Sequence, residues 1–187
     1  MNCPICKNHP LGTNEIIPNL NVYTCNNCQG NWIRFEDYWK WHEHSKSELI
    51  STEPVSLAED EYLPILDSKQ AKLCPDCTRI LIKYKVRNDL DFYVDHCGSC
   101  NGVWLDKNEW QVLQRNNLHH QLYSFFTGSW QKKLRQESTR AHLDAQYRTK
   151  FGPEGYNRLK DFKAWLDENP NRSYILAFLQ DDNPYTI

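Results

Sequence analysis

Two kinds of hydrophobic pattern divide this chain. Short alternating stretches dominate up to about residue 110, and helical spacing takes over after them. The clearest alternation places Ile80, Ile82, Tyr84 and Val86 between Leu81, Lys83 and Lys85. Arg87-Asn88-Asp89-Leu90 then offers turn chemistry, and Phe92 and Val94 alternate with Asp91, Tyr93 and Asp95. Period-two alternation around polar turn residues predicts a β-hairpin. A weaker version comes earlier, as Ile16-Ile17, a Pro18-Asn19 turn and Val22-Tyr23-Thr24.

Helices are expected after each alternating stretch. Phe35, Tyr38, Trp39 and Trp41 predict a short helix ending near His44-Ser45. Asp106 followed three residues later by Glu109 is a capping-box pattern, with Trp110, Leu113 and Leu118 beyond it. Ser129 is expected to cap a helix to about Phe151, carrying Trp130, Leu134, Ala141 and Ala145 near one face, until Gly152-Pro153 breaks it. Tyr156, Leu159, Phe162, Trp165 and Leu166 predict a second helix. Asn169-Pro170 stops it, and Ile175, Leu176, Phe178 and Leu179 form a last short one. The fold class is therefore a small α+β protein: two β-hairpin modules, each followed by a short helix, plus an α-helical C-terminal region. The expected boundaries are 1–44 and 72–117 for the modules, 45–71 for an acidic linker and 118–187 for the helical region. With a mean hydropathy of -0.77 and no apolar run near ~18 residues, no membrane helix is expected.

Cysteine changes the picture most. The eight cysteines stand at 3, 6, 25, 28, 74, 77, 97 and 100, which makes four Cys-x-x-Cys pairs. Disulfide frameworks rarely pair every cysteine two residues apart, because so small a ring staples nothing. A tetrahedral thiolate site needs two such knuckles. The N-terminus Met1-Asn2-Cys3-Pro4 has no basic n-region and no apolar h-region. No secretory signal is therefore expected, and a reducing, cytoplasmic setting favours metal again. The knuckles belong to an internal repeat. Cys3-Pro4-Ile5-Cys6 matches Cys74-Pro75-Asp76-Cys77, and Cys25-Asn26-Asn27-Cys28-Gln29-Gly30-Asn31-Trp32-Ile33 matches Cys97-Gly98-Ser99-Cys100-Asn101-Gly102-Val103-Trp104-Leu105. Each module reads as a zinc ribbon, a hairpin with a knuckle at each base. Pro4 and Pro75 fix φ and leave the other knuckle amides free to point at sulfur. Gly30 and Gly102 are expected to supply a left-handed residue.

Loop entropy pairs the knuckles sequentially. Bridging the 67 residues between Cys6 and Cys74, rather than the 18 between Cys6 and Cys25, costs roughly 1 kcal/mol more per site. Cys3, Cys6, Cys25 and Cys28 are thus assigned to one ion, and Cys74, Cys77, Cys97 and Cys100 to the other. That makes two zinc ions per chain, with iron in a rubredoxin-like site the alternative. Four protein ligands close each site, so its role is structural. His9 and His96 lie near knuckles whose ligand sets are already complete. No nucleophile elbow, Walker loop, metalloprotease motif or dinucleotide fingerprint is present, so no catalytic residue, no enzymatic activity and no small-molecule substrate are expected.

Charge and aromatics bear on partners. Residues 1–70 carry five basic and ten acidic groups, whereas residues 115–163 carry ten basic and four acidic, with His119, His120 and His142 besides. A cationic helical patch could contact phosphates, or be an ordinary solvated face. Trp32, Trp104, Trp110, Trp39 and Trp41 could stack on bases. A ribbon of about forty residues needs bulky side chains for its core, however, so packing is expected for Trp32, Trp104 and Trp110. Trp39 and Trp41 stay open, since both cannot face one side of a helix.

These modules resemble the TFIIB-type zinc-ribbon family, the small transcription factor zinc-finger domain. The second copy carries its pattern in Cys74, Pro75, Cys77, Cys97, Cys100, Gly102, Trp104, Leu105, Asp106 and Glu109. The first departs after Trp32, where Arg34 replaces the acid while Asp37 aligns with Glu109. Both copies have Lys7 or Thr78 where a Gly is common. The stretch Tyr156–Tyr185, with its Trp-Leu-Asp-Glu-Asn-Pro core at 165–170, also looks like the helical tail of some members. The resemblance implies zinc binding, and transcription only through the family name. The expected function is a macromolecular binding module for nucleic acid or protein, using the hairpin tips at Pro18-Asn19 and Asn88-Asp89 with the basic helices. A protein scaffold working through the helical tail, and a thiol-redox or zinc-buffering protein, are the alternatives.

Overall fold

A computed structural model of the chain describes residues 1–48, 64–65 and 68–185. The linker expected at 45–71 lies largely outside the described residues. Two compact units are present, Met1–Arg135 and Gln136–Ile187.

The first unit is built on one sheet. Strands β1 (Gly12–Ile17) and β2 (Leu20–Thr24) form the first hairpin, where Asn19 takes the left-handed turn position at φ 67°. After the closing knuckle the chain adds β3 (Asn31–Ile33) beside β2, and α1 follows (Phe35–Glu48). The second copy repeats this as β4 (Ile82–Lys85), β5 (Tyr93–His96), β6 (Val103–Leu105) and α2 (Glu109–Arg115). A 3-10 stretch, His119–Phe126, comes next. The two ribbons are not independent beads. Their third strands pair antiparallel, giving a six-stranded sheet of order β1-β2-β3-β6-β5-β4. The register sets Trp32 opposite Trp104, with Asn31 opposite Leu105 and Ile33 opposite Val103. The order reads the same for each copy outward from this pair, as a local two-fold axis requires.

Both faces of the shared strands are buried, so both can be apolar. On one face Leu20, Val22, Ile33, Tyr38 and Trp41 of the first copy form a common core with Val86, Phe92, Val94, Leu105, Trp110 and Leu113 of the second, joined by Leu122 and Phe125. On the other face the knuckle cysteines cluster around Trp32, Trp104 and Leu81. A ribbon alone buries too little to hold a fold, and fusion gives two of them one core. Beneath the sheet, Lys72 is fully buried and donates to Asp95 and Asp106.

Several local expectations are revised. Gly30 and Gly102 do not take φ > 0; Gln29 (φ 60°) and Asn101 (φ 58°) do. The glycines serve close approach instead. A Cβ on Gly30 would overlap the Trp104 indole, and one on Gly102 the Trp32 indole. In the β4 region it is Leu81 that turns inward, toward the knuckles and Trp104, while Ile80 and Ile82 stay exposed. Asp106 makes only half of its capping box. Its N–H donates to Glu109 Oε2 at 2.9 Å, but its carboxylate is taken by Trp104 Nε1, Lys72 Nζ and the Ser68 N–H. Thr127, not Ser129, caps the long helix α3 (Gly128–Glu168), its hydroxyl accepting from the Trp130 N–H at 3.3 Å.

In the second unit α3 is broken where the Gly152-Pro153 signal stands, with Gly152 at φ 71° and ψ 157°. The Tyr156 hydroxyl donates to Asp144 Oδ1 at 2.9 Å. In a straight helix these two residues would be about 18 Å apart along the axis, so the chain bends sharply between them. Helix α4 (Arg172–Gln180) follows the Asn169-Pro170 stop, and none of its residues is buried. No helix among the described residues is long and apolar enough to cross a membrane.

Candidate metal centres

The four knuckles share one local geometry. In each, the N–H of the residue four after the first cysteine donates to that cysteine's carbonyl: Lys7 to Cys3, Gln29 to Cys25, Thr78 to Cys74 and Asn101 to Cys97, at 2.8–2.9 Å. All four donors sit at φ between 56° and 60°. Glycine would take that conformation at least cost. Asparagine tolerates it, whereas a β-branched threonine is strained there. Lys7 and Thr78 therefore hold the same turn that a glycine would serve.

This turn aims backbone donors at sulfur. The Cys6 N–H lies 3.3 Å from Cys3 Sγ, and the Cys77 N–H 3.4 Å from Cys74 Sγ. In the first cluster the Asn27 side-chain amide adds a donor to Cys6 Sγ at 3.2 Å. Ser99 stands at the matching place in the second copy.

The cysteines converge in two sets: Cys3, Cys6, Cys25 and Cys28, then Cys74, Cys77, Cys97 and Cys100. Within each set the sulfurs all lie within 4.8 Å of one another. The tightest Sγ–Sγ separations are 3.4–3.5 Å, and all eight thiols are free. A tetrahedron with metal–sulfur bonds of about 2.3 Å has sulfur–sulfur edges of about 3.8 Å. Both donor sets fit one zinc ion each, with no position left over for substrate. Cys3, Cys25, Cys74 and Cys97 are buried, and the other four are half-buried.

The thiols are not equivalent. Burial pushes Cys3 up to about 11 despite the amides of Cys6 and Ile5. Burial also opposes ionisation of Cys97, but the amides of Cys100 and Ser99, with the Cys77 and Cys100 thiols, together outweigh it and bring that thiol down to about 7. Thiolates are the ligands, so zinc must displace protons that such a cluster otherwise holds.

Around the centres the repeat has diverged. Arg34, where the first copy lacks the acid, reaches across to Asp76 in the second copy's opening knuckle through Nε (3.0 Å) and Nη2 (2.8 Å). Trp32 Nε1 donates to the same carboxylate at 3.0 Å. Asp76 is held below the usual carboxylate range, chiefly by Arg34. A cleft of about 480 Å³ lies here, lined by Arg34, Glu36, Asp76, Cys100 and Gly102. A second of about 310 Å³ takes the corresponding place on the first copy, where Ile5, Cys28, Asp106 and Lys107 line it.

The candidate tryptophans and His96 are packed, whereas His9 and His142 stand exposed. Trp32, Trp104 and Trp110 are fully buried, as expected. Both tryptophans of α1 are also used, on different flanks. Trp41 meets Trp110 (5.8 Å) and stacks on His120 (5.0 Å), and Trp39 stacks on Tyr123 (5.9 Å). His96 stacks on Phe126 at 4.0 Å. The second hairpin tip is engaged, with Asn88 Nδ2 donating to the Leu134 carbonyl and Arg87 to Asn116. The expected cationic patch is partly neutralised along the helix by Asp144–Arg148, Glu154–Arg158 and Lys163–Asp167 pairs. The strand pairing between copies had no clear sequence signal beyond the matched Gly-x-Trp steps.

No curated protein and no solved structure matches the chain. The sequence model described as transcription factor zinc-finger, TFIIB-type zinc ribbon, matches residues 73–114. Residues 73–114 thus match the zinc-ribbon model of that family, and the tetracysteine cluster near the N-terminus fits a second copy of it.

Proposed function

We propose that this chain is a zinc-stapled protein-binding module. Cys3, Cys6, Cys25 and Cys28 hold one zinc, and Cys74, Cys77, Cys97 and Cys100 the other. The two ions stabilise the fused ribbons, and the helical arm from residue 136 onward carries the binding surface. A closed tetrathiolate site supplies folding energy rather than chemistry.

One observation carries this reading. Among the described residues, the large aromatics that stand exposed all belong to the arm: Tyr147, Phe151, Phe162, Trp165, Tyr174, Phe178 and Tyr185. The ribbon tryptophans that could have stacked on bases are packed inward, which favours a protein target over nucleic acid. Exposed aromatics on helices suit a partner that offers an apolar groove or helix face.

The test uses the zinc-loaded full chain and a Phe162→Glu/Trp165→Glu variant. The expected result is a protein ligand retained by the parent and lost by the variant, with zinc content unchanged. Salt-sensitive binding of DNA or RNA that survives in the variant would overturn the proposal.

A further inference from the structure

The arm lacks a core of its own. Among described residues 136–185, Leu166 alone is buried. A segment of that length cannot offset its conformational entropy with one buried side chain. Its apolar residues are nevertheless patterned rather than scattered. Leu143, Tyr147 and Phe151 step by four along the first limb of α3, and Leu159, Phe162 and Trp165 step by three along the second. All six are 38–52% exposed. Tyr147 stacks on Phe151 at 5.8 Å, and Phe162 meets Trp165 at 5.5 Å. Each limb thus presents an aromatic pair. Polar residues beside these stripes close i,i+4 ion pairs, which is how a solvated helix face behaves.

We infer that the arm is a homodimerisation element: two copies pair through these stripes and bury them in a helical bundle. The inference rests on the reading of the arm as a binding surface and names its partner. Two arguments select a second copy. The first is area. The six side chains offer roughly 540 Å², taking about 200 Å² for a fully exposed large side chain, and Tyr174, Phe178 and Leu179 of α4 add roughly 370 Å², so stripes and α4 together match the ~800 Å² per partner of a standard interface. The second is charge. Residues 136–187 carry seven basic and eight acidic side chains. Such an arm neither repels its own copy nor steers toward a strongly charged partner. A helix pair whose exposed apolar stripes lack a partner is completed by another of the same kind, and a two-fold operation satisfies both at once.

The test is sedimentation equilibrium of the zinc-loaded full chain, from low to high micromolar concentration. The expected species has twice the 22.2 kDa chain mass. Phe162→Glu/Trp165→Glu and, independently, Tyr147→Glu/Phe151→Glu should weaken the dimer by at least about a hundredfold. All four positions are exposed, so zinc content should be unchanged. A monomer throughout the concentration range overturns the inference, and so does a dimer that both variants preserve. A monomer whose arm still captures a different protein contradicts the inference alone. A dimer lost in both variants, with no other protein ligand, supports it while restricting the arm to self-association.

Discussion

Gly102 illustrates how a residue is chosen by its neighbour across a two-fold. The Trp32 indole lies where a Cβ would stand, and Gly30 meets Trp104 in the same way. Both indoles are fully buried and cannot withdraw. Gly102→Ala, a single added methyl, should destabilise the zinc-loaded protein by about 1–3 kcal/mol through overpacking. Urea unfolding followed by tryptophan fluorescence checks this; an unchanged midpoint would contradict the close-approach reading. Lys72 makes the opposite case. Its ammonium is buried between Asp95 and Asp106, and their charges outweigh the burial that would otherwise lower its pKa. Lys72→Met removes the cation and leaves two buried carboxylates, at a cost of about 3–5 kcal/mol. The same unfolding assay reads it, and a loss well under that of Gly102→Ala would show the network to be dispensable. Both residues were visible in the sequence, but not their roles. Gly after a knuckle reads as a left-handed turn residue, and a lone lysine before Cys-Pro reads as surface.

At the scale of elements, local signals were legible where the chain itself enforces them. Turn residues, knuckle spacing and the Gly152-Pro153 break all act within a few positions. The β3–β6 pairing was not legible, because it joins residues 70 to 74 apart through strands of three. Nor was the 3-10 stretch, whose His119 and His120 pack against α1 and α2. His119 lies 5.9 Å from both Trp41 and Trp110. Burial, and secondarily His120, hold it at about 4. An unfolded histidine titrates near 6.5, so the packed state requires the neutral ring. The stability it permits is whole above about pH 6.5 and is lost progressively as pH falls toward about 4. Melting temperature should fall over that window, and His119→Gln should flatten the slope. An identical slope in the variant would assign the acid sensitivity to other groups. Zinc retention must be followed alongside, since the cysteines also take up protons as the pH falls.

At the scale of the whole molecule, the two ribbons form one body. They share a sheet and a core, so loss of either metal should loosen both. Cys97→Ser/Cys100→Ser, which disables the second centre, should broaden or shift the NMR signals of residues around Trp32 and Ile33 as well as those of its own ribbon. Signals of the first ribbon that stay unchanged would contradict a shared core. The duplicated module and the grouping of its cysteines into two sets could be read from the spacing, and the inward tryptophans from the small core of a ribbon. The partner surface could not, because exposure depends on what packs where. The basic helix that suggested phosphate is partly self-paired, and the aromatics that suggested base stacking are partly core.

All of this depends on two closed tetrathiolate centres. The direct test is metal content per chain, by mass spectrometry of protein purified without added metal. The account predicts two zinc ions per chain. One ion per chain, none, or iron in their place would contradict it.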